Sequence, residues 1–293
     1  MVWGGGADLA SHRHIHRAFF QNARKLGVPA VWVEDKPENA HVVTPDSVVI
    51  GIDIWGQFLP YVDGAKYCLH NFDGSHHLYE QIPDGDFLRL QVWTKDAYGE
   101  NWDTCRQFDR DGKVLFQPWG TDLLAEEFPD PVFSGDSRNV TFVGAIWSEK
   151  HEGTDLGNEA VIQELRDACA EYGLSFRHLT HVSDDENVAA TREARLAPSF
   201  VGGWQNQHGY LPCRAFKLPS YGALMFTNSD AVNHLFGDAT VSGYTVSEAL
   251  GAALALRRGE YLDLVREQQR IAARYSYRES LQSIDRALQE ISG

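Results

Sequence analysis

Short apolar runs alternate with helically spaced stretches along almost the whole chain, and this alternation restricts the fold more than any other feature of the sequence. An apolar run of a few residues followed by an amphipathic stretch reads as a βα unit, and a series of such units builds a parallel sheet covered by helices. Val2-Trp3 is the first run. The loop Gly4-Gly5-Gly6 follows, then Ser11, a suitable helix N-cap. From His12 the apolar positions Ile15, Ala18, Phe19, Ala23 and Leu26 share one helical face, and Gly27 ends the helix. Further strands are predicted at 28–33, 48–54, 65–69, 88–94 and 114–116.

Residues 128–137 hold two prolines and a glycine and lack periodicity, so they read as a linker. The βα pattern then restarts. It predicts strands at 140–143, 174–179, 199–201 and 223–227, and helices at 158–172, 188–196, 246–257, 261–275 and 278–291. A polar turn at 202–211 leads into a short helix near Pro212. Three parts are therefore expected: a domain over 1–127, a second over 138–275, and a terminal helix over 276–293 free to cross back to the first domain. In open α/β sheets ligands bind outside the carboxyl ends of the strands.

The chain has 293 residues, with 26 basic against 41 acidic side chains and a net charge of -15. Such a balance repels a polyanion at long range, so no nucleic-acid partner is expected, although a local basic pocket can still hold a small anion. Cys68, Cys105, Cys169 and Cys213 are far apart and form no CxxC pair, which predicts reduced thiols rather than a zinc site or a disulfide framework. Apolar runs are too short for a membrane span, and the N-terminus lacks the n- and h-regions of a signal peptide; a cytoplasmic protein is expected.

The most informative segment runs from His208 to Asn228. His208-Gly209-Tyr210 closes a polar loop, Pro212 suits the first position of a helix, and Arg214 and Lys217 lie three apart on its face. Free backbone N–H groups and two cations there form a cradle for a diphosphate. The plainer reading is a surface helix with two solvated cations. In the other half His12, His14 and His16 begin the first helix. His12 and His16 lean toward the apolar stripe, where they either pack or, at i and i+4, pair on a metal; His14 faces away from it. The fourth predicted strand runs into His70-Asn71-Phe72-Asp73-Gly74, either a functional loop or an ordinary Asp-Gly turn. Trp55, Trp93 and Trp119 follow or end strands; their rings suit sugars but equally suit a core.

Over residues 138–285 the chain resembles the donor domain of GT-B glycosyltransferases, close to the spore-protein CgeB-like and family-1-like groups. The residues that carry the resemblance are Phe142-Val143-Gly144, Arg214-Ala215-Phe216-Lys217, Tyr221-Gly222, Thr227-Asn228 and Arg274-Tyr275-Ser276-Tyr277-Arg278. It implies an α/β chain of two Rossmann-like domains facing an interdomain cleft. The implied reaction moves a sugar from a UDP-, GDP- or dTDP-linked donor to a hydroxyl of a glycan or surface polymer, with no metal and no cofactor.

On this resemblance the donor side comprises Gly144, Trp147, His208, Gly209, Tyr210, Arg214, Lys217, Asn228 and Ser229. His70 and Trp55 fall on the acceptor side. If the reaction inverts, His14 is the first candidate base and Asp73 the second; if it retains, neither is required. One position departs from the family: Lys217 stands where a glutamate commonly holds the donor ribose, and a cation cannot accept those hydrogen bonds. Either Lys217 turns to the phosphates, or Asn228, Ser229 or a backbone carbonyl takes the ribose. A GT-B-like shell that binds without catalysis and a histidine-based metal hydrolase are the competing functions.

Overall fold

The computed structural model describes residues 1–4, 10–53, 58–71, 81–92, 114–118, 120–148, 150–151, 154–155 and 157–292. The chain divides into two compact units, one comprising Met1–Leu124 with Tyr275–Gly293, the other Ala125–Arg274.

In the first unit β1 (Val2–Gly4), β2 (Trp32–Glu34), β3 (Val48–Asp53), β4 (Lys66–Asn71), β5 (Phe87–Gln91) and β6 (Val114–Phe116) form one parallel sheet in the order β2-β1-β3-β4-β5-β6. Alternation along each strand sorts its residues to two faces. Trp3, Val49, Tyr67, Leu69 and Phe87 pack together on one face. Val2, Ile50, Cys68, Leu88 and Leu90 pack on the other, against Ala18 and Phe19 of α1 (Ala10–Lys25). Each such side chain contributes roughly 1.5–3 kcal/mol by burial. After α1 the chain turns at Gly27, whose φ of 77° suits glycine. Ser11, expected as the N-cap, lies within α1 rather than before it. The second strand is shorter than expected, because Val28 and Val31 are exposed and only Trp32–Glu34 pairs with β1.

The second unit begins its sheet with β7 (Asn139–Val143). A two-residue hairpin, β8 (Lys150–His151) with β9 (Thr154–Asp155), precedes α2 (Glu159–Glu171). β10 (Ser175–Leu179) pairs parallel to β7. On the other side of β7, Leu196 bridges to Val140 and leads into β11 (Ala197–Pro198), which pairs with β12 (Met225–Thr227) and then β13 (Val241–Ser242). Val140, Phe200, Leu224 and Phe226 meet Leu165 of α2, Ala249 and Leu250 of α7 (Val246–Ala255), and Tyr261 and Val265 of α8 (Arg258–Ala273).

Several elements differ from the expectation. α3 spans Asp184–Glu193, earlier than 188–196, because a reciprocal cap between Ser183 and Glu186 sets its start and Leu196 is needed by the sheet. The expected strand at 199–201 is displaced to Ala197–Pro198. The polar turn at 202–211 contains a helix, α4 (Gly203–Gln207). Pro212 is the N-cap of α5 (Cys213–Ser220) rather than its first residue, and α6 (Asp230–Phe236) follows β12. The segment read as a linker is bonded into the second unit. Val132 N donates to Gly222 O at 2.8 Å, Ser134 Oγ to Arg192 O at 2.7 Å, and Gln269 Nε2 to Pro129 O at 2.8 Å.

The last helix, α9 (Tyr277–Ser292), belongs to the first unit. Tyr277 Oη donates to Ile15 O at 3.2 Å, Gln117 Nε2 to Ser280 Oγ at 2.5 Å, and Ile284 joins the core beside α1.

Candidate functional site

The carboxyl end of β7 in the second unit gathers several of the residues singled out in the sequence. β7 ends at Val143, and Gly144 turns with a φ of 146°, which disfavours other residues there. Gly144 N donates to Leu179 O at 2.9 Å, and its carbonyl accepts from His178 Nε2–H at 2.7 Å. A carbonyl only accepts, so His178 carries its proton on Nε2 in this contact. The glycine backbone is thus held from the neighbouring strand on both sides.

Arg214, in the first turn of α5, reaches this glycine. A Cβ placed on Gly144 would lie 2.6 Å from Arg214 Nη1. The guanidinium sits 4.5 Å above the Phe142 ring, and Nη2 donates to Phe200 O at 2.8 Å. Its Nε is sealed from solvent and has no hydrogen-bond partner. No carboxylate forms an ion pair with Arg214 among the described residues. Burial pulls the guanidinium below its ordinary value. Arginine nevertheless keeps its proton in proteins, so the result is a desolvated cation lacking a counter-charge.

Close backbone packing fixes the surrounding loops. Asn158, 2% exposed at the N-cap of α2, accepts from Trp147 N at 2.9 Å and donates to Ala145 O at 3.0 Å. Asn158 N also donates to Trp147 O at 3.0 Å. A Cβ on Gly157 would overlap Trp147 O, and a Cβ on Gly202 would overlap Gly157 O, so both positions require glycine for space. Trp147 is therefore anchored by its backbone and leaves its ring half-buried.

Not every expected donor residue serves the same place. Asn228 Oδ1 accepts from Val201 N at 2.9 Å and its Nδ2 donates to Val201 O at 3.0 Å. The amide braces the loop after β11 with one bond from each end. Ser229 is fully buried and caps α6 through Val232 N. His208 stacks on Trp204 with centroids 4.8 Å apart, and its Nδ1–H donates to Trp204 O at 2.9 Å. Gly209, at φ 64°, and buried Tyr210 complete the turn into α5. Lys217 is half-buried three residues after Arg214.

In the first unit His70 is the last residue but one of β4 and is only 4% exposed. Its Nδ1 and His16 Nε2 share a hydrogen bond of 3.3 Å, and the rings lie 5.4 Å apart. His16 is fully buried and faces this ring, so it is a packing residue in this structure. Asp73, Trp55, Trp93 and Trp119 lie outside the described residues, as do the side chains of His12 and His14, although α1 includes both positions. No cluster of three His, Cys, Asp or Glu side chains suited to a metal occurs among the described residues.

Asn158, His178, Phe142, Gly157 and Gly202 were not legible as site residues in the sequence. The pairs Gly157-Asn158 before a helix and Gly202-Gly203 after an apolar run are the signals that mark them.

No family model matches the chain, and no curated protein matches it by sequence. Among solved structures it is similar to the DNA modifying enzyme beta-glucosyltransferase, whose crystal structure was determined in the presence and absence of the substrate uridine diphosphoglucose. The likeness has a TM-score of 0.56 at 11% sequence identity, over 97% of this chain and 99% of that one. At this identity it shows the fold alone, a mixed α/β architecture with parallel sheets.

Proposed function

We propose that the chain is a GT-B glycosyltransferase that transfers a sugar from a UDP-, GDP- or dTDP-linked donor to a hydroxyl of a polymeric acceptor, without a bound metal. The observation that carries this reading is Arg214, a cation with no acidic partner among the described residues, held against the glycine turn that ends β7. A diphosphate there supplies the missing counter-charge. As the glycosidic bond breaks, negative charge grows on the leaving diphosphate, and a fixed guanidinium stabilises that charge without reorganising. On this reading Lys217 adds a second cation from the same helix, Gly144 lets phosphate approach the backbone, and the half-buried Trp147 ring stacks on base or sugar. His208, Gly209 and Tyr210 shape the turn that delivers Arg214.

With Asn228 and Ser229 bonded within the fold, a backbone carbonyl is the first proposal for the ribose hydroxyls, and those two side chains are the second. On the acceptor side His14, then Asp73, is the proposed base of an inverting reaction, and a retaining one needs neither. The narrower CgeB-like assignment and a cytoplasmic setting belong to the same proposal.

For the acceptor, the net charge of -15 favours a neutral glycan or surface polymer. A nucleic-acid acceptor is favoured instead by the beta-glucosyltransferase likeness, since that enzyme modifies DNA. A non-catalytic binding role draws support from Lys217 in place of the family glutamate.

Thermal shifts with UDP, GDP, dTDP and CMP, followed by turnover of radiolabelled nucleotide-sugars, test these readings. One nucleoside diphosphate at a hundredfold excess over its dissociation constant is expected to add about 2.7 kcal/mol of stability. Silence across the panel overturns the proposal, and binding without turnover selects the non-catalytic reading.

A further inference from the structure

The first helix is the most basic element of this acidic chain. α1 carries Arg13, Arg17, Arg24 and Lys25 and has no aspartate or glutamate along its whole length. Arg17 and Arg24 are exposed, and neither forms an ion pair among the described residues. Seven residues apart, they lie two turns along the same face, separated by about 10.5 Å of rise. That distance matches the axial rise of about three nucleotides in one DNA strand, at roughly 3.4 Å each.

Beside this face runs an open groove of about 1090 Å³ lined by Phe20, Arg24, Lys25, Ala30, Val31 and Trp32. Its aromatic pair, Phe20 and Trp32, has ring centroids 6.0 Å apart, and Val31 is 52% exposed. β2, the edge strand on the far side, ends in Glu34, whose charge is met by Lys36 at 2.5 Å. The groove thus has cations on its rim and an aromatic and aliphatic wall, in a protein whose net charge is strongly negative.

We infer that the outer face of α1 and this groove dock a DNA strand, with Arg17 and Arg24 on phosphates about three nucleotides apart and the Phe20–Trp32 wall against bases. Cations that track a backbone beside aromatic side chains form the general recognition surface for unpaired nucleic acid. A neutral glycan gives the arginines no charged partner. The overall negative charge slows approach, but acidic groups farther than a Debye length of about 8–10 Å from these contacts are largely screened. The inference rests on the transferase reading, of which it names the acceptor class.

Fluorescence anisotropy with a labelled 20-nucleotide DNA, single-stranded and duplex, tests it at several salt concentrations. The wild-type chain is expected to bind, most tightly at low salt. Arg17→Gln/Arg24→Gln is expected to lose roughly tenfold or more in affinity and to flatten the log–log salt slope by about 1.4–1.8, the loss of two phosphate contacts. Arg17→Lys/Arg24→Lys keeps the slope. Both positions are exposed, so an unchanged melting temperature verifies folding.

Equal affinity and slope in wild type and the Gln variant overturns the inference. So does binding of poly(glycerol phosphate) or heparin with none of DNA. UDP calorimetry on the same proteins separates the two proposals. Intact nucleotide binding without DNA binding removes the docking surface alone, and DNA binding without any nucleotide binding removes the transferase reading.

Discussion

The two units bury polar side chains for different ends. In the second unit such groups tie backbone to backbone. Gln268 accepts from Met225 N and donates to Met225 O and Ala239 O, Asn158 holds the turn after β7, Asn228 holds Val201, and Thr227 Oγ1 donates to Ser199 O. In the first unit the buried polar interior includes a contact between side chains, His16 with His70, beside Asn22 reaching Ala18 O and Asp122 O. The contrast teaches where chemistry can sit. Once the amides of the second unit brace its loops, the site there is left with shaped backbone and the cation of Arg214. The first unit instead keeps a pair of imidazoles, His16 and His70, near a strand end.

The largest expected effect tests the bracing. Gln268 is fully buried and its amide satisfies three backbone groups that close β12 onto the turn before β13. Gln268→Ala leaves those groups unpaired in the interior. Each lost partner of a buried group costs about 1–3 kcal/mol, with partial compensation by entering water, so a total of roughly 2–4 kcal/mol is expected in urea titration. A loss below about 1 kcal/mol would break the comparison, since the second unit would not depend on its amides.

Next comes Arg214, where function and stability are expected to separate. Arg214→Met keeps an apolar chain over Phe142 and removes a desolvated charge. Nucleoside-diphosphate affinity should fall by roughly 1.5–3 kcal/mol, as for a charged hydrogen bond, while the melting temperature holds or rises. A variant that loses stability and retains affinity would show that Arg214 is a structural brace like Asn228.

The sequence made the βα order legible because each strand carries an apolar run and α1, α2, α7, α8 and α9 carry helical periodicity. It concealed α4 and α6, whose five and seven residues are too short to show a period. Arg214 and Gly144 were visible as a cation at a helix start and a glycine at a strand end, but their contact joins residues far apart in the chain. The bracing role of Asn228 was hidden for a related reason. A polar residue after a strand suits either a ligand or a loop, and only the two bonds to Val201 decide between them. The partnership of His16 and His70 was equally invisible, since it links α1 to the end of β4.

The smallest expected effect compares the units directly through their thiols. Cys68 lies on β4 in the first core and Cys169 on α2 in the second, both buried, while Cys213 is half-buried. Burial pushes the Cys68 thiol up to about 12 and the Cys169 thiol up to about 11. Raised values keep both thiols protonated at pH 8, and a protonated, buried thiol reacts only when its surroundings open. The sign of the linkage follows. A thiol whose value is raised on folding favours the native state below its unfolded value of about 9, and that contribution fades as pH climbs from there toward 11 and 12. In a Cys105→Ser background at pH 8, Cys213 is expected to label first. In rising urea Cys68 should follow before Cys169, because the second unit is cross-braced through Gln268 and Asn158 where the first relies on an imidazole pair. Read by mass spectrometry of labelled peptides, an offset worth about 1 kcal/mol in opening is within reach of the measurement. Simultaneous labelling would mean that the two units open as one, and Cys169 labelling ahead of Cys68 would place the weaker interior in the second unit and reverse the comparison.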